Sequence, residues 1–332
     1  MTVAAPMPAR PATPLVVPWY QARWLRQALV VLFLVGVAVL LVHAGRKVPW
    51  AEVGKALQET PAWQLAAALL FSVLSYLAYA GFDILGQQVT GHKVSRLAVL
   101  RVAAVSFAIN QNLGYMVGGL GLRLNQYTAL GLRPAVIAAV AGTSALTNWL
   151  SHFALFGALL VFGTQALPRL WGVASGVWQI AGGVALALVV AYVWACVAFK
   201  RRQWRWRSLE LDLPNGRMAL LQLALGALHW GFTAAIVWVA LPAGANFTAV
   251  ATALLLAAVA GALAHVPAGV GVLEAVFVAL LSDQWPVQQI IAAVMVYRAV
   301  YQWLPGALAA LVLLVVQRRG RAAGRLAAAP KA

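Results

Sequence analysis

The sequence predicts an all-α integral membrane protein: six full transmembrane helices plus two oppositely oriented re-entrant helical hairpins forming an inverted repeat. Three observations carry that prediction. Of 332 residues, 63% are hydrophobic and only 9% charged, at a mean hydropathy of +0.85, whereas a soluble domain carries about 25% charged residues. Apolar runs long enough to cross a bilayer recur along the chain. Two further runs are interrupted by amides, glycines and proline.

The first 26 residues read as a disordered cytoplasmic tail, rich at its start in Pro and Ala with Arg10 as an isolated charge. The apolar run 27–44 follows Arg23 and Arg26 as a signal peptide would, but no small-residue cleavage site follows, so a retained anchor is expected. A crossing helix needs ~20 mostly apolar residues at ~1.5 Å rise each. Runs 27–44, 63–85, 135–162, 174–199, 218–241 and 287–316 meet that need within a single polytopic domain, 27–317, and 318–332 reads as a basic cytoplasmic tail. The lone Cys196 lies in an apolar run and excludes an internal disulfide.

The interrupted runs lie near 99–124 and 248–282. In the first, Asn110, Gln111 and Asn112 precede Gly114, Gly118, Gly119 and Gly121; in the second, His265, Pro267, Gly269 and Gly271 precede Glu274. Such groups facing lipid would go unsatisfied at several kcal/mol apiece, so each segment is expected to be two half-helices with a Gly-rich tip buried among other helices.

Charge sets the orientation. With the N-terminus inside and both hairpins returning to the face they left, Arg46, Lys47, Lys55 and Arg169 lie outside and Arg298 within a span, leaving nineteen of the 24 basic residues on the cytoplasmic side. That asymmetry is what the positive-inside rule expects. Letting the first hairpin cross would strand outside the six basic residues of 200–217. The Arg- and Trp-rich part of that segment reads as an anchor on anionic lipid, and no nucleic-acid partner is expected. The two tips then point from opposite faces and repeat each other: Gly119-Leu120-Gly121 matches Gly269-Val270-Gly271, Asn148 and His152 follow Arg123 by 25 and 29 residues, and Arg298 and Gln302 follow Glu274 by 24 and 28. Broken helices in an inverted repeat are a transporter signature.

A buried carboxylate needs a proton or a cation, which singles out Glu274, with Arg298 and Arg123 as partner candidates. Arg298 lies roughly 17 Å down its run. The half-helix N-termini at Gly119, Gly121, Gly269 and Gly271 offer free N–H groups to an anionic head group, and the same glycines serve close helix packing. Asn110, Asn112, His265, Pro267 and Gln302 support the site, the amides either satisfying broken backbone or lining a lipid path. His152 and His229 read as helix-to-helix hydrogen-bonding groups, and Asp83 as an interfacial cap. Metal-protease, nucleotide and hydrolase motifs are lacking, and no cofactor or metal is expected.

The tract from Asn112 through Gly118, Gly119, Gly121 and Arg123, with Pro267-Ala268-Gly269-Val270-Gly271-Val272-Leu273-Glu274 and Tyr297-Arg298, resembles the lysylphosphatidylglycerol synthase transmembrane-domain family. That family includes the flippase half of the multiple peptide resistance factor, stand-alone bacterial relatives and members associated with hopanoid transport. Its motif usually reads Pro-Gly-Gly-x-Gly-x-x-Glu, and Ala268 departs from it. The resemblance implies a lipid translocator of the bacterial inner membrane acting on phospholipids or on polyprenyl or hopanoid lipids. No soluble domain follows Val316, so synthesis of an aminoacyl lipid is not expected.

The leading expectation is therefore a flippase or transporter for a lipid with a polar or anionic head group, with Arg123 and Arg298 holding the anion and Glu274 pairing or taking a proton. An intramembrane lipid-carrier transferase would need facing acids, and only Glu210 and Asp212 lie at the cytoplasmic surface. An accessory subunit would dock a lipid- or glycan-synthesis enzyme on 200–217.

Overall fold

The computed structural model describes residues 50–163, 175–199, 203–206, 209–212, 214–264 and 266–327. The expected tail 1–26, the expected first span 27–44 and His265 lie outside these residues. In chain order the helices are α1 (Trp50–Gln58), α2 (Ala62–Thr90), α3 (Arg96–Leu113), α4 (Leu122–Ala129), α5 (Pro134–Phe162), α6 (Ser175–Ala198), α7 (Gly216–Ala240), α8 (Phe247–Ala264), α9 (Val272–Leu281), α10 (Val287–Tyr297) and α11 (Leu304–Ala327). A short antiparallel ribbon, β1 (Gln203–Trp206) with β2 (Leu209–Asp212), pairs Gln203 with Asp212 between α6 and α7.

Among the described residues six helical stretches are long and apolar enough to cross a membrane: α2, α5, α6, α7, α8 and Val287–Val316. The protein is a multi-pass membrane protein. Five of the six coincide with predicted runs. The sixth, α8, is the stretch the sequence assigned to a hairpin arm; its 18 residues rise ~27 Å. One element was not anticipated: α1 occupies the interval after the first predicted span and buries Val53 against α10, where Gln288 donates to Glu52.

Local signals set the helix ends. Gly91 takes φ 67° and closes α2 with a left-handed cap. The Asn215 side chain accepts from Met218 N at 2.8 Å to start α7, and Pro134 stands in the first turn of α5, where its missing N–H costs nothing.

Alanine, aliphatic and aromatic residues of α2, α7, α8, α9 and α10 form the main core, with Phe82, Phe277, Ala253 and Ile236 fully buried. Large aliphatics cover the outside: on α6, Ile180 is 70% and Val197 69% exposed. Such surface on span-length apolar helices suits contact with lipid.

Two helical segments fold back on themselves. After α3 the chain turns at Gly114 (φ 83°) into a π-helical stretch, Tyr115–Gly121, that returns along α3 and continues as α4. The return is so close that any Cβ on Gly118 would collide with the backbone of Asn110. After α8 the chain turns through Pro267–Gly269, with Ala268, Gly269 and Gly271 all at positive φ, and α9 packs back on α8.

Candidate functional site

At the second tip Glu274 stands at the start of α9 and receives Gly271 N at 2.9 Å, satisfying one N–H that a helix start leaves open. Arg298, directly after α10, meets this carboxylate in a bidentate pair, Nε to Oε1 at 2.6 Å and Nη2 to Oε2 at 2.9 Å. Its other donors go to the carbonyls of Ala268 and Gly269, both at 3.1 Å, and to Gln302 Oε1 at 2.8 Å. A guanidinium has five N–H donors, and all five are used. Arg298 is 2% exposed and Glu274 19%, so the acid is the reachable partner.

At the first tip the structure places Arg123 against Asp83, not against Glu274. The pair is bidentate, Nε to Oδ2 at 3.0 Å and Nη2 to Oδ1 at 2.9 Å, with exposures of 1% and 0%. Tyr127 donates to the same carboxylate at 2.9 Å, and Arg123 reaches Gly119 O at 2.7 Å and Ser144 Oγ at 3.3 Å. Asp83 is therefore no interfacial cap: α2 runs on to Thr90 and buries it. Just beyond α2, His92 is held below its ordinary pKa by burial, with Asp83 pulling the other way.

Between the tips the last helix is interrupted. Residues Arg298–Trp303 are π-helical, and Pro305 cannot donate back to the preceding turn. Three consecutive carbonyls accept side chains instead: Val300 O from Ser72 at 2.8 Å, Tyr301 O from Tyr76 at 3.0 Å and Gln302 O from Asn112 at 2.9 Å. Asn112 thus satisfies broken backbone. Beside this break, buried Ser75 bonds His229 Nδ1 at 2.9 Å and Thr233 at 2.8 Å, and Thr233 bonds Tyr301 at 3.2 Å.

The two tips border one cavity of about 360 Å³, a size usual for small-ligand sites. Asn110, Gln111, Gly114 and Tyr115 line it from the first tip and Val266, Ala268 and Gly269 from the second. Aromatic side chains form much of the rest, among them Tyr79, Phe107, Trp149, Trp230 and Tyr301, and Gln302 closes one side. Tyr115 and Trp149 are also 43% and 39% exposed.

Of the sequence-predicted residues, Gly269, Asn110 and Gln302 line the cavity. Glu274 and Arg298 stand one layer behind, tied to its wall through Ala268, Gly269 and Gln302. Arg123, Gly119, Gly121, Gly271 and Asn112 are not among the lining residues. Sequence reasoning read Asp83 as a cap and not as the partner of Arg123, and the one signal for the cavity-lining Asn148 and His152 was the spacing that matches Arg298 and Gln302. Among the described residues no three His, Cys, Asp or Glu side chains gather as a metal site.

The family model described as the lysylphosphatidylglycerol synthase TM region matches residues 27–309. The chain is 35% identical over 302 residues to "Inner membrane protein YbhN" of Escherichia coli, covering 90% of this chain and 95% of that protein. It is 27% identical over 283 residues to the Synechocystis protein slr0712, covering 82% and 86%.

Proposed function

The chain belongs to the lysylphosphatidylglycerol synthase transmembrane-region family, and on that premise we propose that it moves a lipid with a polar or anionic head group between the leaflets of the bacterial inner membrane. The observation that carries this reading is the cavity of about 360 Å³ bordered by both Gly-rich tips, with the Glu274–Arg298 pair directly behind its wall.

In this proposal both fold-back segments re-enter the bilayer from opposite faces, α8 is a hairpin arm, and both termini are cytoplasmic. The fold-back geometry and the bias of basic residues toward one side support it. The head group occupies the cavity while the acyl chains stay in lipid past exposed Tyr115 and Trp149.

Arg298 has no spare donor, so it binds an anion only by giving up an acceptor. Glu274 is the acceptor that can leave: once protonated, its place on Arg298 passes to a phosphate with no added buried charge. When the carboxylate returns, the anion is expelled. Loosening the Gly-rich tip accompanies the exchange, because the same guanidinium holds Ala268 and Gly269.

Liposomes containing the purified protein and a head-group-labelled phospholipid test this reading. Translocation is expected in the wild type and at least about tenfold slower in Glu274→Gln and Arg298→Ala, the rate cost of ~1.4 kcal/mol. Normal rates in both variants remove the pair from the mechanism.

A further inference from the structure

The cavity contains polar groups that the protein itself does not satisfy. His152 is fully buried, and neither ring nitrogen has a hydrogen-bond partner. One turn earlier on α5, Asn148 Oδ1 is buried and equally unpaired. Both residues line the cavity, and residues four apart share a helix face. Burying such groups unmet costs about 1–3 kcal/mol each, so their setting is shaped for something with complementary hydrogen-bonding groups.

The chemistry of that partner follows from what is offered. Trp230, Trp149, Phe156 and Phe153 surround the His152 ring at centroid distances of 5.0, 5.4, 5.7 and 6.1 Å, with no carboxylate paired to it. A neutral imidazole presents one donor and one acceptor, and the amide oxygen adds an acceptor. Phosphate oxygens only accept, so they match one group of the three. A hydroxyl both donates and accepts, and two adjacent hydroxyls can engage the amide oxygen and one ring nitrogen together while their carbon skeleton rests on Trp149 and Trp230.

We propose that Asn148 and His152 form a subsite for a hydroxyl-bearing head group, the vicinal diol of a glycerol or a sugar, inside the cavity. This rests on the reading that the cavity receives a lipid head group. In the mirrored half the equivalent spacing holds Arg298 and Gln302, which are bonded to one another, so one half grips charge and the other reads hydroxyls.

Native mass spectrometry of the detergent-solubilised full chain, with three lipids of identical short acyl chains, separates the sources. Phosphatidylglycerol carries diol and phosphate, monoglucosyl diacylglycerol carries hydroxyls without phosphate, and phosphatidic acid carries phosphate without a diol. One or both hydroxyl lipids are expected to bind at least about tenfold tighter than phosphatidic acid, the discrimination of a site built to hydrogen-bond a hydroxyl. His152→Phe and Asn148→Leu should bring that ratio to within about twofold while phosphatidic acid binding, which reports a folded cavity, holds. His152→Gln, which keeps a donor and an acceptor, should retain most of it. An unchanged ratio in both variants, or equal wild-type binding of all three lipids, overturns the subsite. Hydroxyl preference without translocation in liposomes would leave the subsite standing and remove the transport reading.

Discussion

The tips of the two fold-back segments are built from the same parts in opposite order. At the first, the arginine lies on the fold-back segment and its acid on the preceding helix; at the second, the acid lies on the fold-back segment and the arginine on the following helix. Each guanidinium also holds carbonyls of its own Gly-rich turn, Gly119 in one and Ala268 with Gly269 in the other. The difference is access. Asp83 is sealed beneath Tyr127 at 0% exposure, whereas Glu274 is 19% exposed beside the cavity wall. An ion pair with no route to it ties helices together; the proposed site rests on the one pair whose acid is reachable.

The largest test strikes the sealed pair. Asp83→Ala leaves Arg123 as an uncompensated buried charge, a loss of about 3–5 kcal/mol, and should abolish a monodisperse peak in size-exclusion chromatography. Restoring neutrality with Asp83→Ala plus Arg123→Met should recover much of that loss. An equally folded Asp83→Ala protein would mean that the first tip is not held as described.

Glu274→Gln should separate the tips in the other sense. Its amide keeps one acceptor for Arg298 and stands partly exposed, so the melting temperature should fall less than for Asp83→Ala while translocation slows at least about tenfold. Equal falls in stability would erase the proposed contrast.

Ala268 probes the second turn alone. It is the one described non-glycine residue at positive φ, 57°, where a side chain costs roughly 1–2 kcal/mol. Glycine removes that strain but gives back about 0.4–1 kcal/mol through the unfolded chain. Ala268→Gly is therefore expected to stabilise by about 1 kcal/mol or less, read as a small rise in thermal midpoint.

The smallest expected effect is at His92, near the sealed pair. Its folded pKa is depressed by burial, so protonation favours the unfolded chain. The thermal midpoint should be flat above the ordinary histidine range near pH 6.5 and drop slightly as pH falls below it, and His92→Asn should remove that drop. A rise on acidification would reverse the assigned sign.

Legibility followed how local each signal is. Five spans were readable because lipid imposes the same apolar requirement on every residue of a crossing helix. The turns at Gly114 and Pro267–Gly269 announced themselves through amides, glycine and proline. Glu274 and Arg298 could be matched because a charge that deep in an apolar run needs a partner.

Asp83 was misread because the apolar run ends at Leu85, yet α2 continues to Thr90 where Gln87 bonds the carbonyls of His92 and Val94 at 3.2 and 2.6 Å. Those bonds exist only once the next segment has folded back. The break at Arg298–Trp303 had Pro305 as a trace, but its three carbonyl partners come from α2 and α3, about 190 or more residues earlier in the chain.

By itself the amino-acid order determined that this chain lives in lipid, where five of its crossing helices run, and where two segments must bend, since burying backbone in oil is a cost charged residue by residue. Only the tertiary structure decided which acid meets which arginine and which polar groups are left facing a cavity. Those outcomes depend on distances of a few ångströms between segments far apart in the chain, and no local pattern encodes them.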